Sequence, residues 1–167
     1  PAQQRAGAFN WVDGDYIDEP VQESGAFDPI GGVWTTVEDY SKFVAWMLSA
    51  WPARDDPEVA PIARRVVRSV TDGVSLLGAG RGSGLTQAED CIMSSAYGMG
   101  LRSRRHCEAG LMLMHGGGFP GFGSYVILMP ERGLGVFAFA NETYADVYGP
   151  VWDAARLLMD SDLAVTV

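Results

Sequence analysis

One of the two histidines in this chain stands directly before three consecutive glycines, between two apolar segments. His115, Gly116, Gly117 and Gly118 end the run "GLMLMHGGG", and the apolar run "GSYVILMP" begins soon afterwards. An imidazole donates, accepts or transfers protons near neutral pH. Glycines let a ligand or another backbone approach a strand closely. The pattern therefore indicates either a tight turn capped by His115 or the rim of a site built on a strand end.

Two other interpretations of these glycines require a context that the sequence lacks. Gly116, Gly118 and Gly121 satisfy the G-x-G-x-x-G pattern of dinucleotide binding, but that pattern must open a helix, and a strand-like run follows here. The H-G-G-G oxyanion loop of lipase-type α/β-hydrolases also requires a G-x-S-x-G nucleophile, and no serine in the sequence has those flanking glycines. The interpretation that remains is a strand end that lines the cleft of a site.

The composition limits the classes of protein to which the chain can belong. Its 167 residues are 47% hydrophobic, which is enough to fold around a core. No apolar run approaches the roughly 20 residues of a membrane-spanning helix, and residues 1–10 lack the regions of a signal peptide. The formal net charge of -9 disfavours nucleic acid as a partner. The composition predicts a globular protein.

The cysteines and histidines do not show the spacing of a metal site. Cys91 and Cys107 form no C-x-x-C pair, and His106 and His115 are the only histidines. We therefore predict two free, partly buried thiols, no metal and no organic cofactor. His106 follows two arginines at an expected hairpin turn, which predicts an exposed imidazole without a catalytic role.

Changes in periodicity divide the chain into five regions of a single domain, 1–167. Acidic residues without periodicity come first, a helical period follows, and segments of strand length dominate the second half. The predicted regions are an irregular acidic segment over 1–30, helices over 31–70, a loop over 71–94, four antiparallel strands over 95–141 and a helix over 148–160. This order predicts an α/β protein of the α+β type, with an antiparallel meander flanked by helices.

Two helices are expected between residues 31 and 70. A capping box that begins at Thr35 predicts a first helix over Val37–Ser49. A second helix should begin at Pro57, because proline is favoured in the first turn. Its outward face should carry Arg64, Arg65 and Arg68.

The order of motifs resembles the C-terminal half of the β-lactamase-related serine hydrolases, which include class C β-lactamases, D-alanyl-D-alanine carboxypeptidases and related esterases. "GGVWTTVEDYSKFVAWML" is similar to the family's Gly-Gly turn and helix, and "YGMGL" to the first strand of its final meander. "HGGGFPGFGSYVILMPERGLGVFAFAN" resembles its H-x-G motif, P-G-F turn and closing strands. The resemblance implies a β-lactamase/transpeptidase-like fold and the cleavage of an amide or ester bond through an acyl-enzyme.

The resemblance also implies roles for the glycine-rich strand end. His115 stands where the family carries Lys or His in K-T-G or H-x-G, the residue that hydrogen-bonds the substrate and tunes the charge of the site. The backbone N–H of Gly118 would be one of two oxyanion donors. Gly116 and Gly117 would leave room for the substrate, and Phe122 and Tyr144 would border the cleft.

The nucleophile that the family requires is absent from this sequence. The family carries serine and lysine one helical turn apart in S-x-x-K, but Lys42 is the only lysine here and Asp39 stands three positions before it. No tyrosine is followed two positions later by asparagine, as the family's Y-x-N requires. Ser124, close to the glycines, has no lysine partner and is predicted to be structural.

We therefore expect the C-terminal portion of a serine hydrolase that is inactive alone. Its N-terminal half would be a companion chain, a cleaved piece or a segment lost by truncation, and the substrate would be a small-molecule or peptide amide or ester. The alternative is a non-catalytic module that binds a peptide or peptidoglycan-like ligand in the same cleft. The resemblance implies a bacterial periplasmic or secreted location, and the sequence leaves a cytoplasmic one open.

Overall fold

The fold is a six-stranded antiparallel sheet with helices on both faces, which confirms the predicted α+β class. The computed structural model describes residues 5–20, 22–26, 28–58, 60–82, 85 and 90–161. The strands are β1 (Phe9–Val12), β2 (Asp15–Asp18), β3 (Ser75–Gly82), β4 (Cys91–Tyr97), β5 (Arg102–His106), β6 (Gly110–Phe119), β7 (Phe122–Met129) and β8 (Leu134–Ala140). The helices are α1 (Asp28–Gly31), α2 (Val37–Leu48), α3 (Arg64–Thr71) and α4 (Tyr148–Asp160), with a 3₁₀ turn at Pro130–Arg132.

The large sheet is a meander in the order β3-β4-β5-β6-β7-β8, with every neighbouring pair antiparallel. It has two strands more than the sequence predicted. The predicted loop over 71–94 is wrong, because β3 occupies 75–82 and β4 begins at Cys91. β3 is an edge strand whose side chains are nearly all exposed. Such a strand needs no apolar face, so its glycine-rich sequence reads as a loop.

Alternating side chains of β6 and β7 supply two hydrophobic cores, one on each face of the sheet. One face packs against α4 and the other against α2 and α3, since successive strand residues point in opposite directions. The α4 core contains Met112, Met114, Ile127, Met129, Val151, Trp152 and Ala155. The α2–α3 core contains Val44, Met47, Ala50, Val67, Leu111, Leu113, Val126 and Leu128. These two cores hold the central strands, and with them the glycine-rich end of β6, in a fixed frame.

The helix α2 begins at Val37 as predicted, but its N-cap is one residue later than the predicted capping box. The side chain of Thr36, not Thr35, accepts a hydrogen bond from the Asp39 N–H at 3.0 Å. The helix ends at Leu48, and Ser49, the predicted last residue, is its C-cap. Frayed ends of this kind commonly shift a boundary by one residue.

The helix α3 spans only Arg64–Thr71 and does not begin at Pro57. The Arg64 N–H donates to Glu58 Oε1 at 3.1 Å, so this carboxylate caps the helix from the preceding segment. All three arginines of this helix were predicted to point outward, but two of them do not. Arg64 is 12% exposed and pairs with Asp56 at 2.9 Å, and Arg68 donates to the Ala50 carbonyl.

Residues 9–18 form a two-stranded hairpin, where the sequence predicted an irregular segment. The turn residues Asp13 and Gly14 both have positive φ, of 52° and 92°. Such a pair is typical of the type I′ turn that matches the twist of a hairpin. The hairpin adjoins the large sheet through a parallel bridge between Phe9 and Glu142.

A disulfide bond joins Cys91 and Cys107, so the prediction of two free thiols is wrong. Cys91 begins β4 and Cys107 follows β5, and the antiparallel register of these strands, with Ser94 opposite Arg105, brings the two ends together. Sequence spacing alone gives no such register. Within the described residues, no helix has the length and apolar character needed to cross a membrane.

Candidate active site

The end of β6 has a free edge because β5 is shorter than β6. β5 pairs with β6 only from Gly110 to Met114, whereas β6 continues to Phe119. On the other side β7 pairs with β6 through to Phe119. In the described ranges no strand covers the β5 side of residues 115–119, so an extended ligand can reach this backbone edge.

His115 is the first residue of this free edge, and Tyr97 from β4 reaches it across the start of β5. The Tyr97 hydroxyl and His115 Nε2 lie 2.9 Å apart, and the two rings meet edge to face at 6.2 Å between centroids. His115 is exposed, and Tyr97 is half-buried. The imidazole is therefore held by a second ring while it faces solvent.

Close neighbours leave little room for a side chain at any of the three positions after His115. A Cβ atom on Gly116 would lie 3.0 Å from the Tyr125 ring, and one on Gly117 would lie 2.5 Å from Ser124 Oγ. A Cβ on Gly118 would lie 2.8 Å from Tyr144 Cε1. The glycines thus let side chains of the next strand and of residue 144 lie over the backbone.

Tyr144 and Phe122 lie together near Gly118, at the far end of the free edge from His115. The Tyr144 N–H donates to the Phe122 carbonyl at 3.2 Å, and the exposed Tyr144 ring lies over Gly118. Phe122 packs edge to face on Trp34, with centroids 5.7 Å apart. The structure thus brings Gly118, Phe122 and Tyr144 together.

Thr143 ties the hairpin between β6 and β7 to the N-terminal hairpin. Its hydroxyl accepts from the Gly121 N–H at 2.8 Å and lies 3.1 Å from both Phe9 O and Glu19 Oε2, to either of which it can donate. The turn at Gly121, whose φ is 83°, is held in this way. Because this turn is held, the glycine-rich end of β6 that leads into it has a defined direction.

Neither Ser124 nor Lys42 forms a nucleophile with a base. Ser124 Oγ lies 3.4 Å from the Gly117 carbonyl, within its own hairpin. Lys42 lies exposed on α2, bonded to Asp39 at 2.9 Å and near Glu38 at 3.4 Å. The hydrogen bond to Asp39 raises the pKa of Lys42, so the side chain is held as an ammonium ion that has no lone pair with which to accept a proton.

The described residues contain one group with metal-binding chemistry, formed by Cys91, His106 and Cys107. Its sulfurs are joined as a disulfide, so neither is available as a thiolate ligand. His106 is 5% exposed, which corrects the prediction of an exposed imidazole. Its Nδ1 accepts from the Glu108 N–H at 3.2 Å, and burial lowers its pKa. This histidine is part of the structural frame around the disulfide.

The fold agrees with the family to which the sequence is matched. A family model described as Beta-lactamase matches residues 1–160. The chain therefore belongs to the β-lactamase family, whose fold is that of the serine hydrolases described above. No curated protein matches the chain.

Tyr97 is the site residue that the sequence did not reveal. It lies in "YGMGL", which was expected to be a strand, whereas Gly98–Leu101 form the turn between β4 and β5. A tyrosine at the last position of a strand, before a glycine turn, was the available signal. The signal carries no information about a partner two strands away.

Proposed function

We propose that this chain supplies the H-x-G strand of a serine hydrolase that cleaves an amide or ester bond through an acyl-enzyme. The nucleophile and its base would come from a polypeptide segment that carries S-x-x-K. The observation that carries the proposal is the free edge of β6, which begins at His115 and continues through three glycines within a chain of the β-lactamase family.

Each residue of the free edge has a part in this proposal. The serine Oγ adds to the substrate carbonyl carbon, and its proton passes through the lysine amine to the leaving amine or alcohol. The Gly118 N–H stabilises the oxyanion that forms in this step. His115 hydrogen-bonds the substrate, and Gly116 and Gly117 admit it to the strand edge. Water then hydrolyses the acyl-enzyme.

Phe122 and Tyr144 would border the bound substrate beyond Gly118. Both are aromatic, and together they form an apolar margin beside the proposed oxyanion donor. Sites for small ligands commonly combine such apolar margins with a few fixed polar groups. The acyl part of the substrate is therefore expected to present an apolar group to this margin.

Exposed apolar side chains before and within α2 support a covering segment. Ile30 is 76% exposed, Val33 85% and Val37 64%. These three side chains lie within eight residues of the sequence, and exposed apolar side chains that cluster commonly mark an interface with another polypeptide segment. A segment that covers it would lie next to α1, which itself contacts β6, and could carry the nucleophile to the free edge.

The first test uses the purified 167-residue chain and two covalent probes, a fluorescent penicillin and a fluorescent fluorophosphonate. We expect no labelling of the chain alone, because no serine in the sequence stands three positions before a lysine. The chain is next isolated from its natural host under native conditions and treated with the same probes. A labelled S-x-x-K peptide that co-purifies with the chain is the expected result.

Variants of the chain then test its contribution in the labelled complex. His115→Ala should slow acylation by about tenfold or more, the loss expected for one hydrogen bond to a charged or developing-charge group. Lys42→Ala changes an exposed surface pair and is the matched control. Absence of any labelled companion, together with saturable ligand binding at the Gly116–Gly118 amides, would favour the non-catalytic binding module. Labelling of the isolated chain would contradict the proposed division of the site.

A further inference from the structure

We propose that Tyr97 is a positioning residue that fixes the tautomer and the orientation of His115. The Tyr97 O–H donates to His115 Nε2, so the neutral imidazole carries its proton on Nδ1. The role of this hydrogen bond in catalysis rests on the proposed function, whereas the hydrogen bond and the tautomer can be tested without it.

The hydrogen bond has a short distance and a favourable ring geometry. The hydroxyl oxygen and Nε2 are 2.9 Å apart, within the usual range for a strong side-chain hydrogen bond. The rings are inclined by 63°, in an edge-to-face arrangement that aromatic pairs favour. Within the described ranges, Tyr97 is the side chain that hydrogen-bonds the His115 ring.

The backbone around Tyr97 is held from two directions, which limits the positions that its hydroxyl can reach. The Tyr97 carbonyl accepts from the Val74 N–H at 3.0 Å, and the Met99 N–H donates to the Val70 carbonyl at 2.9 Å. Gly98 lies against the end of α3, where an added Cβ would be 2.8 Å from the Asp72 carbonyl oxygen. The end of α3 therefore fixes the backbone from which the Tyr97 ring projects.

The donor and acceptor roles follow from the chemistry of the two groups. A neutral imidazole has one N–H donor and one nitrogen acceptor, and a phenol has one proton to donate. An imidazole nitrogen is a better acceptor than a phenolic oxygen, so the bond is strongest when Tyr97 donates. The free Nδ1–H is then the donor that His115 can direct at a substrate, in one fixed position rather than two.

The tautomer can be measured directly in the 167-residue chain, without a substrate or a companion. Two-bond ¹H–¹⁵N correlation spectra distinguish protonated from unprotonated ring nitrogens. We would record them at about pH 8.5, well above the ordinary imidazole pKa of about 6.5. The chain has only two histidines, so His115→Gln assigns both rings. The expected result for the wild type is an unprotonated Nε2 and a protonated Nδ1 on His115.

Tyr97→Phe removes the hydroxyl and keeps the ring. It should change the His115 tautomer ratio towards Nε2–H by about two- to tenfold, the range that one net hydrogen bond supports. Tyr16→Phe, which removes a hydroxyl from the distant β2, is the matched control and should leave the ratio unchanged. A protonated Nε2 on the wild-type His115 overturns the proposal, even if Tyr97→Phe fails to fold. An unchanged ratio in a folded Tyr97→Phe chain also overturns it.

Discussion

Replacing Gly118 with alanine should destabilise the chain, because the new methyl group would overlap the ring of Tyr144. The methyl carbon would lie 2.8 Å from Cε1 and 3.3 Å from Cγ of that ring, whereas carbon atoms in contact normally lie about 3.5–4.0 Å apart. The crowded atoms are at the base of the ring, and the Tyr144 N–H is bonded to Phe122. Overpacking costs about 1–3 kcal/mol. Because Tyr144 is 66% exposed and can turn outward, we expect a cost of about 1–2 kcal/mol in the free energy of unfolding.

Tyr144→Gly should remove most of this cost, which makes the prediction a double-mutant cycle. Tyr144 has a φ of 53°, a conformation that glycine adopts without strain. In this background Gly118→Ala should cost less than about 0.5 kcal/mol, so the coupling between the two positions should be about 1 kcal/mol. Urea unfolding followed by circular dichroism measures all four proteins. Gly80→Ala, whose methyl group would meet no atom within 4 Å, is the control. Equal costs of Gly118→Ala in both backgrounds would refute the contact.

Three further predictions concern the disulfide, the buried histidine and the turn around the site. Replacing Cys91 and Cys107 by serine should lower the free energy of unfolding by about 3 kcal/mol, the loop-closure value for a sequence separation of 16. Urea unfolding with and without reductant measures this loss, and reductant should not change the stability of the double variant. Burial lowers the pKa of His106, so the unfolded chain binds a proton at this imidazole more readily than the folded chain does. The free energy of unfolding should therefore fall as the pH drops below about 6.5, and it should fall less steeply in His106→Gln. Equal slopes of unfolding free energy against pH in the wild type and the variant would contradict this. Thr143→Val should leave the Gly121 N–H without its 2.8 Å partner and lower the free energy of unfolding by about 1–3 kcal/mol. Amide hydrogen exchange should become faster only in the β1–β2 and β6–β7 hairpins, and unchanged exchange there would count against the role of Thr143.

The elements that sequence could predict are those with one strongly apolar face. α2, α4 and the strands β6 to β8 pack against a core, and that packing imposes a period of 3.6 or 2 on their residues. β3 has no core to face and therefore no such period, so its "SLLGAGRG" resembles a loop. The same reasoning explains the hairpin of β1 and β2, whose best signal is the Asp13-Gly14 turn rather than any apolar alternation.

The contacts that sequence could not predict depend on register between strands. The disulfide requires the start of β4 to meet the residue after β5, and the burial of His106 depends on the same alignment. The Tyr97–His115 hydrogen bond requires β5 to begin at Arg102, so that the ring can pass its end. A sequence motif identifies His115 as a candidate, but its partner is set by the length of the strand between them.

The unequal lengths of two neighbouring strands also decide between the two initial interpretations of His115. β5 has 5 residues and β6 has 10, so among the described residues half of β6 has no partner strand on the β5 side. The turn lies further along, at Gly121, whose φ is positive, and His115 does not cap it. An uncovered strand edge is a risk of aggregation unless something binds it. Three glycines give such an edge no side chains of its own to block a ligand. The structure therefore excludes His115 as the cap of the hairpin turn, and substrate binding at this strand edge stays a prediction.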